Sequence, residues 1–152
     1  MKKILSIFLI LLFSFNAEAK IRNNINENSN SYKLLKLYLN KNPNKNNLKL
    51  YNDFSNQLER IDIIYPENEN EITDSIVRAK NLLNQAGKNE TIKDVLDVID
   101  DIGQSLIIYV GDTKNQKINE YLAAYITLRK NGYSILEAKL SLKDLIKSLS
   151  KK

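Results

Sequence analysis

From residue 32 onward, apolar residues recur at three- and four-residue spacing, and the polar residues between them fall on the opposite side of a 3.6-residue turn. Each interruption carries a helix stop or start. The first segment, residues 32 to about 41, turns Leu34, Leu35, Tyr38 and either Leu37 or Leu39 inward. It ends at Asn42, because Pro43 disfavours helix in the residue before it. The second, about residues 46–64, carries Leu50, Tyr51, Phe54, Leu58 and Ile61 on one face, and Pro66 closes it. The third, about residues 71–86, uses Ile72, Ile76, Ala79, Leu83 and Ala86. Acidic residues at its start suit the positive end of the helix dipole, and Gly87 stands where a left-handed C-cap belongs.

The fourth segment opens near Thr91 and runs through Ile92, Val95, Leu96, Ile99, Ile102, Leu106 and Tyr109. Its last five residues, LIIYV, have strand character, but no second strand-like run exists for them to pair with, so the reading stays helical. Gly111 breaks the chain, and Asp112 is the expected N-cap of a fifth helix over about residues 113–130, with Ile118, Tyr121, Leu122, Tyr125 and Leu128 inward. After Asn131-Gly132, Ser134 and Glu137 form an S-x-x-E capping box ahead of an apolar run. The sixth helix, about residues 135–149, is expected to bury Leu136, Leu140, Leu145, Ile146 and Leu149. Five to six amphipathic helices with short connectors predict an all-α fold, a single-domain helical bundle over residues 32–152.

Upstream the pattern fails. Residues 20–31 (KIRNNINENSNS) hold only Ile21 and Ile25 as apolar residues, too few to offset the entropy of ordering, which predicts a flexible polar leader. Residues 1–19 differ again: Lys2 and Lys3 precede an apolar run from Ile4 to Phe13 broken only by Ser6, and Ala17-Glu18-Ala19 has the small-x-small form of a signal-peptidase site. The run is well short of the roughly 20 apolar residues a bilayer span requires. A cleaved signal peptide is therefore expected, with Lys20 as the mature N-terminus and the protein exported, either periplasmic or secreted. Cysteine is absent, so no lipid-modified cysteine follows the signal and no disulfide supports the fold.

Charge is unevenly placed. Residues 20–49 carry seven basic and one acidic side chain, residues 50–101 five basic and twelve acidic, and residues 102–152 nine basic and four acidic. An acidic middle between basic ends either pairs within the fold or docks charged partners.

Candidate chemistry is limited by what is missing. Without His or Cys there are no Ser-His-Asp triads, no cysteine nucleophiles and no thiolate or imidazole metal sites. The four glycines are too scattered for a phosphate loop. Neither an enzymatic activity nor a cofactor is expected; a hydrolase using carboxylates alone is the remaining catalytic option. The acidic constellation is Asp94, Asp97 and Asp101, with Asp100 beside them, at three- and four-residue spacing on the outer side of the fourth helix. It suits a cation site or a patch for a basic partner, although it lacks the alternating oxygens of a calcium loop, and its plain alternative is a solvated helix face. The corner at residues 129–134 (RKNGYS) has the glycine turn and capped helix of a DNA-reading hairpin, but an exported protein does not meet the chromosome, so no nucleic-acid partner is expected. Tyr121, Tyr125 and Tyr133 form a third set, suited either to anchoring an interface or to lining the core.

These features converge on a small exported protein that acts by binding another protein, as an inhibitor, immunity-type protein or adaptor, with a basic partner facing the acidic stripe. The alternative is a released surface-acting protein, a host-directed adhesin or a membrane-active factor, for which the sixth helix with Lys139, Lys143 and Lys147 is the candidate element.

Overall fold

The computed structural model describes residues 19–150, so the expected signal sequence lies outside the described residues. The fold is all-helical: α1 (Asn30–Leu39), a 3-10 turn (Lys45–Asn47), α2 (Leu48–Ile64), α3 (Glu69–Gln85), α4 (Ile92–Tyr109), α5 (Ile118–Lys130) and α6 (Ile135–Leu149). Four of the helices begin where a side chain takes up a free backbone N–H. Ser29 caps α1, and reciprocal capping boxes open α3 (Asn68/Glu71), α4 (Thr91/Asp94) and α6 (Ser134/Glu137). The Ser134/Glu137 box falls where the sequence places it.

The helix α4 is the axis of the fold and packs against each of the other five. It is the most apolar helix, and ten of its residues are buried. The expected stripes of α2, α3 and α4 meet in one core that includes Phe54, Leu58, Ile61, Ile72, Ile76, Leu96, Ile99 and Ile102. The LIIYV run stays helical as far as Tyr109, and its Leu106 is fully buried. Gly103 marks the closest approach of α4 to the end of α2: a Cβ there would lie 2.9 Å from Ile64 Cδ1 and 3.4 Å from Tyr65 Cε2.

Three expectations change. Residues 20–29 are not a free leader but a strap laid along α2. The Asn52 side chain reads the backbone of Arg22 in both directions: Arg22 N donates to Asn52 Oδ1 at 2.8 Å and Asn52 Nδ2 donates to Arg22 O at 3.1 Å. The Arg22 guanidinium donates to Asn56 and pairs with Glu59, while Asn26 N donates to the Tyr51 hydroxyl at 3.3 Å. Polar bonds to α2 hold what apolar burial does not. Second, α5 begins at Ile118, not near Thr113, and Asp112 is not its cap. Asp112 Oδ1 instead accepts from Lys114 N in a local turn, while Glu67, in the α2–α3 connector, accepts from Ile118 N at 3.1 Å. A carboxylate 51 residues away thus supplies the anion at this helix start.

The third change concerns α6. Its buried residues are Ala138, Leu142 and Ile146. Of the five residues expected inward, only Ile146 is; Leu136, Leu140, Leu145 and Leu149 are all exposed.

Candidate functional site

Each carboxylate of the acidic stripe of α4 has a partner within the chain, with Asp100 buried and Asp97 and Asp101 partly exposed. Asp94 closes the capping box of its own helix: its Oδ2 accepts from Thr91 N at 2.8 Å and from Thr91 Oγ1 at 2.7 Å. Asp97 accepts from Lys93 Nζ at 2.8 Å and 2.9 Å and from Gln57 Nε2 of α2 at 2.6 Å. Asp100, largely buried, takes a two-point bond from Arg60, Nε to Oδ1 at 3.2 Å and Nη2 to Oδ2 at 2.6 Å. That carboxylate holds the Arg60 guanidinium above its ordinary pKa. Asp101 meets Lys139 Nζ at 2.6 Å and Lys143 Nζ at 3.8 Å, both from α6. The stripe thus ties α4 to α2 on one side and to α6 on the other.

The same holds for the charge blocks. The basic N-terminal region reaches the acidic middle through Lys20 and Arg22 at Glu59 and through Lys33 at Asp74. The basic C-terminal third reaches it through Arg129 at Glu90 and the two lysines at Asp101. Of the two readings of the charge pattern, the internal one describes these contacts. Among the described residues, no group of three or more His, Cys, Asp or Glu side chains is placed to hold a metal ion.

The tyrosines divide. Tyr125 is fully buried, and burial pushes its phenol well above the ordinary value. Tyr121 is buried against Tyr65, with ring centroids 6.3 Å apart, and its hydroxyl donates to Gln116. Of these three, only Tyr133, at the α5–α6 corner, presents a ring to solvent. The structure therefore does not bring the three together as a surface.

Single apolar residues face outward on other elements, Ile63 of α2 and Ile108 of α4 among them, but α6 carries several. Leu136, Leu140, Leu145 and Leu149 are 60, 50, 51 and 50 % exposed, in two pairs at four-residue spacing, and Tyr133 stands just ahead of them. The helix touches only α4 and α5, so much of its circumference has no neighbour. A signal for this was present: Ile135, Ala138, Leu142 and Ile146, spaced by three and four, form one complete stripe, and the remaining leucines are surplus to it. Reading all the leucines as one face hid that surplus. An opening of about 680 Å³ lies elsewhere, between the strap at Asn23–Ile25 and the α1–α2 corner at Pro43 and Lys45. It is wide open and contains no catalytic combination of residues.

No protein-family model matches the chain, and neither a curated protein nor a solved structure shows significant similarity to it.

Proposed function

We propose that this is an exported protein that acts by binding another protein, and that the contact is the outer face of α6. The supporting observation is the pair Leu136 and Leu140, each at least half exposed and four residues apart on one side of a helix whose packing stripe is already complete, with Tyr133 just ahead of them. Grouped apolar surface of this kind on a small protein marks an interaction site more often than chance exposure does. The acidic stripe is a poorer candidate, because Asp97, Asp100 and Asp101 each have a cationic partner within the chain, and engaging a basic protein would mean breaking those bonds.

The same pairing argues against the membrane-active alternative. A surface-bound helix needs basic residues free beside its apolar face. Lys139 and Lys143 turn toward Asp101, leaving Lys147 as the lysine of α6 without an ion pair among the described residues. The partner that fits is a protein with an apolar groove of its own and no strong charge requirement, so its binding depends little on salt.

The full chain, carrying a C-terminal affinity tag, is the reagent for the test. Mass spectrometry of the protein recovered from envelope and medium reads whether Lys20 is its N-terminus. Capture from those fractions is then compared for wild type, the double variant Leu136→Glu/Leu140→Glu and Asp97→Asn. A stoichiometric partner retained by Asp97→Asn and lost with the leucine pair supports the reading. Retention by the leucine variant with loss on Asp97→Asn transfers the site to the acidic stripe.

A further inference from the structure

The strap lies on α2 as a peptide lies on a receptor, and α2 is built to receive one. Its core stripe, which includes Tyr51, Phe54, Leu58 and Ile61, is complete without the strap. On the opposite side Asn52, Asn56 and Glu59 follow at four- and three-residue spacing, so they share one outward face. Asn52 is oriented in advance. Its Nδ2 donates to Leu48 O, one turn earlier on the same helix, at 3.0 Å, which fixes the amide and leaves Oδ1 and the second N–H facing the strap. These two meet the N–H and C=O of Arg22 at 2.8 and 3.1 Å, the pairing that a neighbouring strand offers to an extended chain.

Backbone contact of this kind accepts any extended sequence; the side chains select one. The Arg22 guanidinium spans two acceptors, Asn56 Oδ1 at 3.0 Å and the Glu59 carboxylate, a fork that the single ammonium of a lysine does not reproduce. Lys20 Nζ approaches the other Glu59 oxygen at 3.7 Å. Ile21, between them, is 87 % exposed, so its identity is not read. The face thus specifies Lys-x-Arg in an extended segment. Its present occupant is lightly held: residues 20–29 have neither helix nor strand, and of their two isoleucines only Ile25 rests against the core. The polar bonds that keep the strap in place are each worth little net, because water replaces them. We propose that this face of α2 is a docking site for an extended Lys-x-Arg segment of a partner protein, with the strap as a built-in competitor that such a segment displaces. The site shares no residue with α6, and its test requires neither the α6 leucines nor their partner.

The probe is acetyl-KIRNN-amide, the sequence of residues 20–24, titrated into the purified protein while the side-chain amide resonances of Asn52 and Asn56 are followed by NMR. Arg22→Pro removes the backbone donor and the guanidinium together and so vacates the face; should it fold poorly, Arg22→Ala serves. The expected result is a saturable shift of both resonances in Arg22→Pro. The same shift appears in the wild type at about tenfold more peptide, the factor set by an occupant that holds the site about nine-tenths of the time. Changing the arginine of the peptide to lysine, or methylating its backbone nitrogen, weakens binding about tenfold, as does adding Asn52→Ala to Arg22→Pro, read at Asn56. No saturable shift in Arg22→Pro, or equal binding by the altered peptides, overturns the proposal. So does a wild type whose strap does not yield at about a hundredfold more peptide than Arg22→Pro requires, since the strap is then a permanent structural tie. A wild type that sediments as a dimer, and as a monomer with Asn52→Ala, assigns the face to the strap of a second copy and overturns it as well.

Discussion

Glu90 lies in the loop before α4 with its side chain wholly removed from solvent, and Arg129, near the end of α5, is its only charged partner among the described residues. One carboxylate oxygen accepts from Arg129 Nε; the other, and the buried Tyr125 hydroxyl, have no hydrogen-bond partner. Arg129 also donates through Nη1 to the carbonyl of Tyr133, so one guanidinium joins the start of α4 to the α5–α6 corner. Replacing Arg129 with Met keeps most of the apolar stem but strands a buried carboxylate. Breaking a buried pair from one side costs about 3–5 kcal/mol, because the remaining charge keeps its desolvation penalty and loses its compensation. Against a total stability of about 5–15 kcal/mol for a domain this size, that is a large fraction. At about 4 °C per kcal/mol, the midpoint falls by roughly 12–20 °C.

The double variant Arg129→Met/Glu90→Leu removes both charges and should recover most of the loss, since replacing a buried pair with apolar residues is often neutral. Urea unfolding followed by circular dichroism, on the wild type, both single variants and the double variant, completes the cycle. A cost below about 1 kcal/mol for Arg129→Met would mean that Glu90 reaches water. A double variant less stable than Arg129→Met would mean that packing around the guanidinium stem, rather than the buried charge, sets the effect.

Three further outcomes follow from the same contacts. Gly103→Val should destabilise the fold by at least about 1 kcal/mol more than Gly103→Ala in urea melts, because the first added carbon already lies 2.9 Å from Ile64 Cδ1, whereas Ala gains up to about 1 kcal/mol of helix propensity in partial compensation. Ser134→Ala should lower stability by about 1 kcal/mol in the same melts, an exposed cap residue whose loss leaves the Glu137 N–H of α6 without its acceptor. The third outcome concerns alkali. Burial pushes the Tyr65 phenol, which donates to Ile99 O at 3.2 Å, far above its ordinary value. Its unfolded counterpart ionises near pH 10. The stability tied to the neutral phenol is therefore complete below about pH 10 and is lost as pH rises toward the higher folded value. Absorbance at 295 nm should show this phenol ionising together with unfolding, and Tyr65→Phe should remove that component; ionisation ahead of unfolding would contradict the burial argument.

The helices were legible because their ends are written locally. Pro43, Pro66, Gly87, Gly132 and the Ser134/Glu137 box each act within a turn or two of their own position, and the stripes of α2 and α3 have a single apolar side that leaves one way to pack. What the sequence did not disclose depends on distant partners. Thr113 looked like a helix start because nothing nearby announces that Glu67 receives the N–H of Ile118. The leader looked too polar to be ordered, since the asparagines and glutamate that hold Arg22 lie 30 to 37 residues further on. Composition weighs burial, and a segment fastened by hydrogen bonds to a helix that is already formed escapes that measure.

The internal partners of the acidic stripe were hidden for a related reason, one that bears on how acidic helix faces should be read. Asp94, Asp97 and Asp101 do share a side of α4, as their spacing requires, but α4 has neighbours on almost every side. A charged stripe on a peripheral helix faces water; on a helix with this many neighbours its edges also meet the flanks of other helices, where a carboxylate does best with a partner. Gln57, Lys139 and Lys143 are partners from such flanks, Lys93 is one from α4 itself, and Lys139 and Lys143 belong to the basic C-terminal third, whose surplus had seemed to await an external ligand. Peripheral α6 shows the converse: with contacts on only two helices it leaves its surplus leucines outward, where residue type alone had placed them in the core. Helix centrality, which no local pattern encodes, thus decides which apolar and charged residues find partners within the fold and which stay exposed.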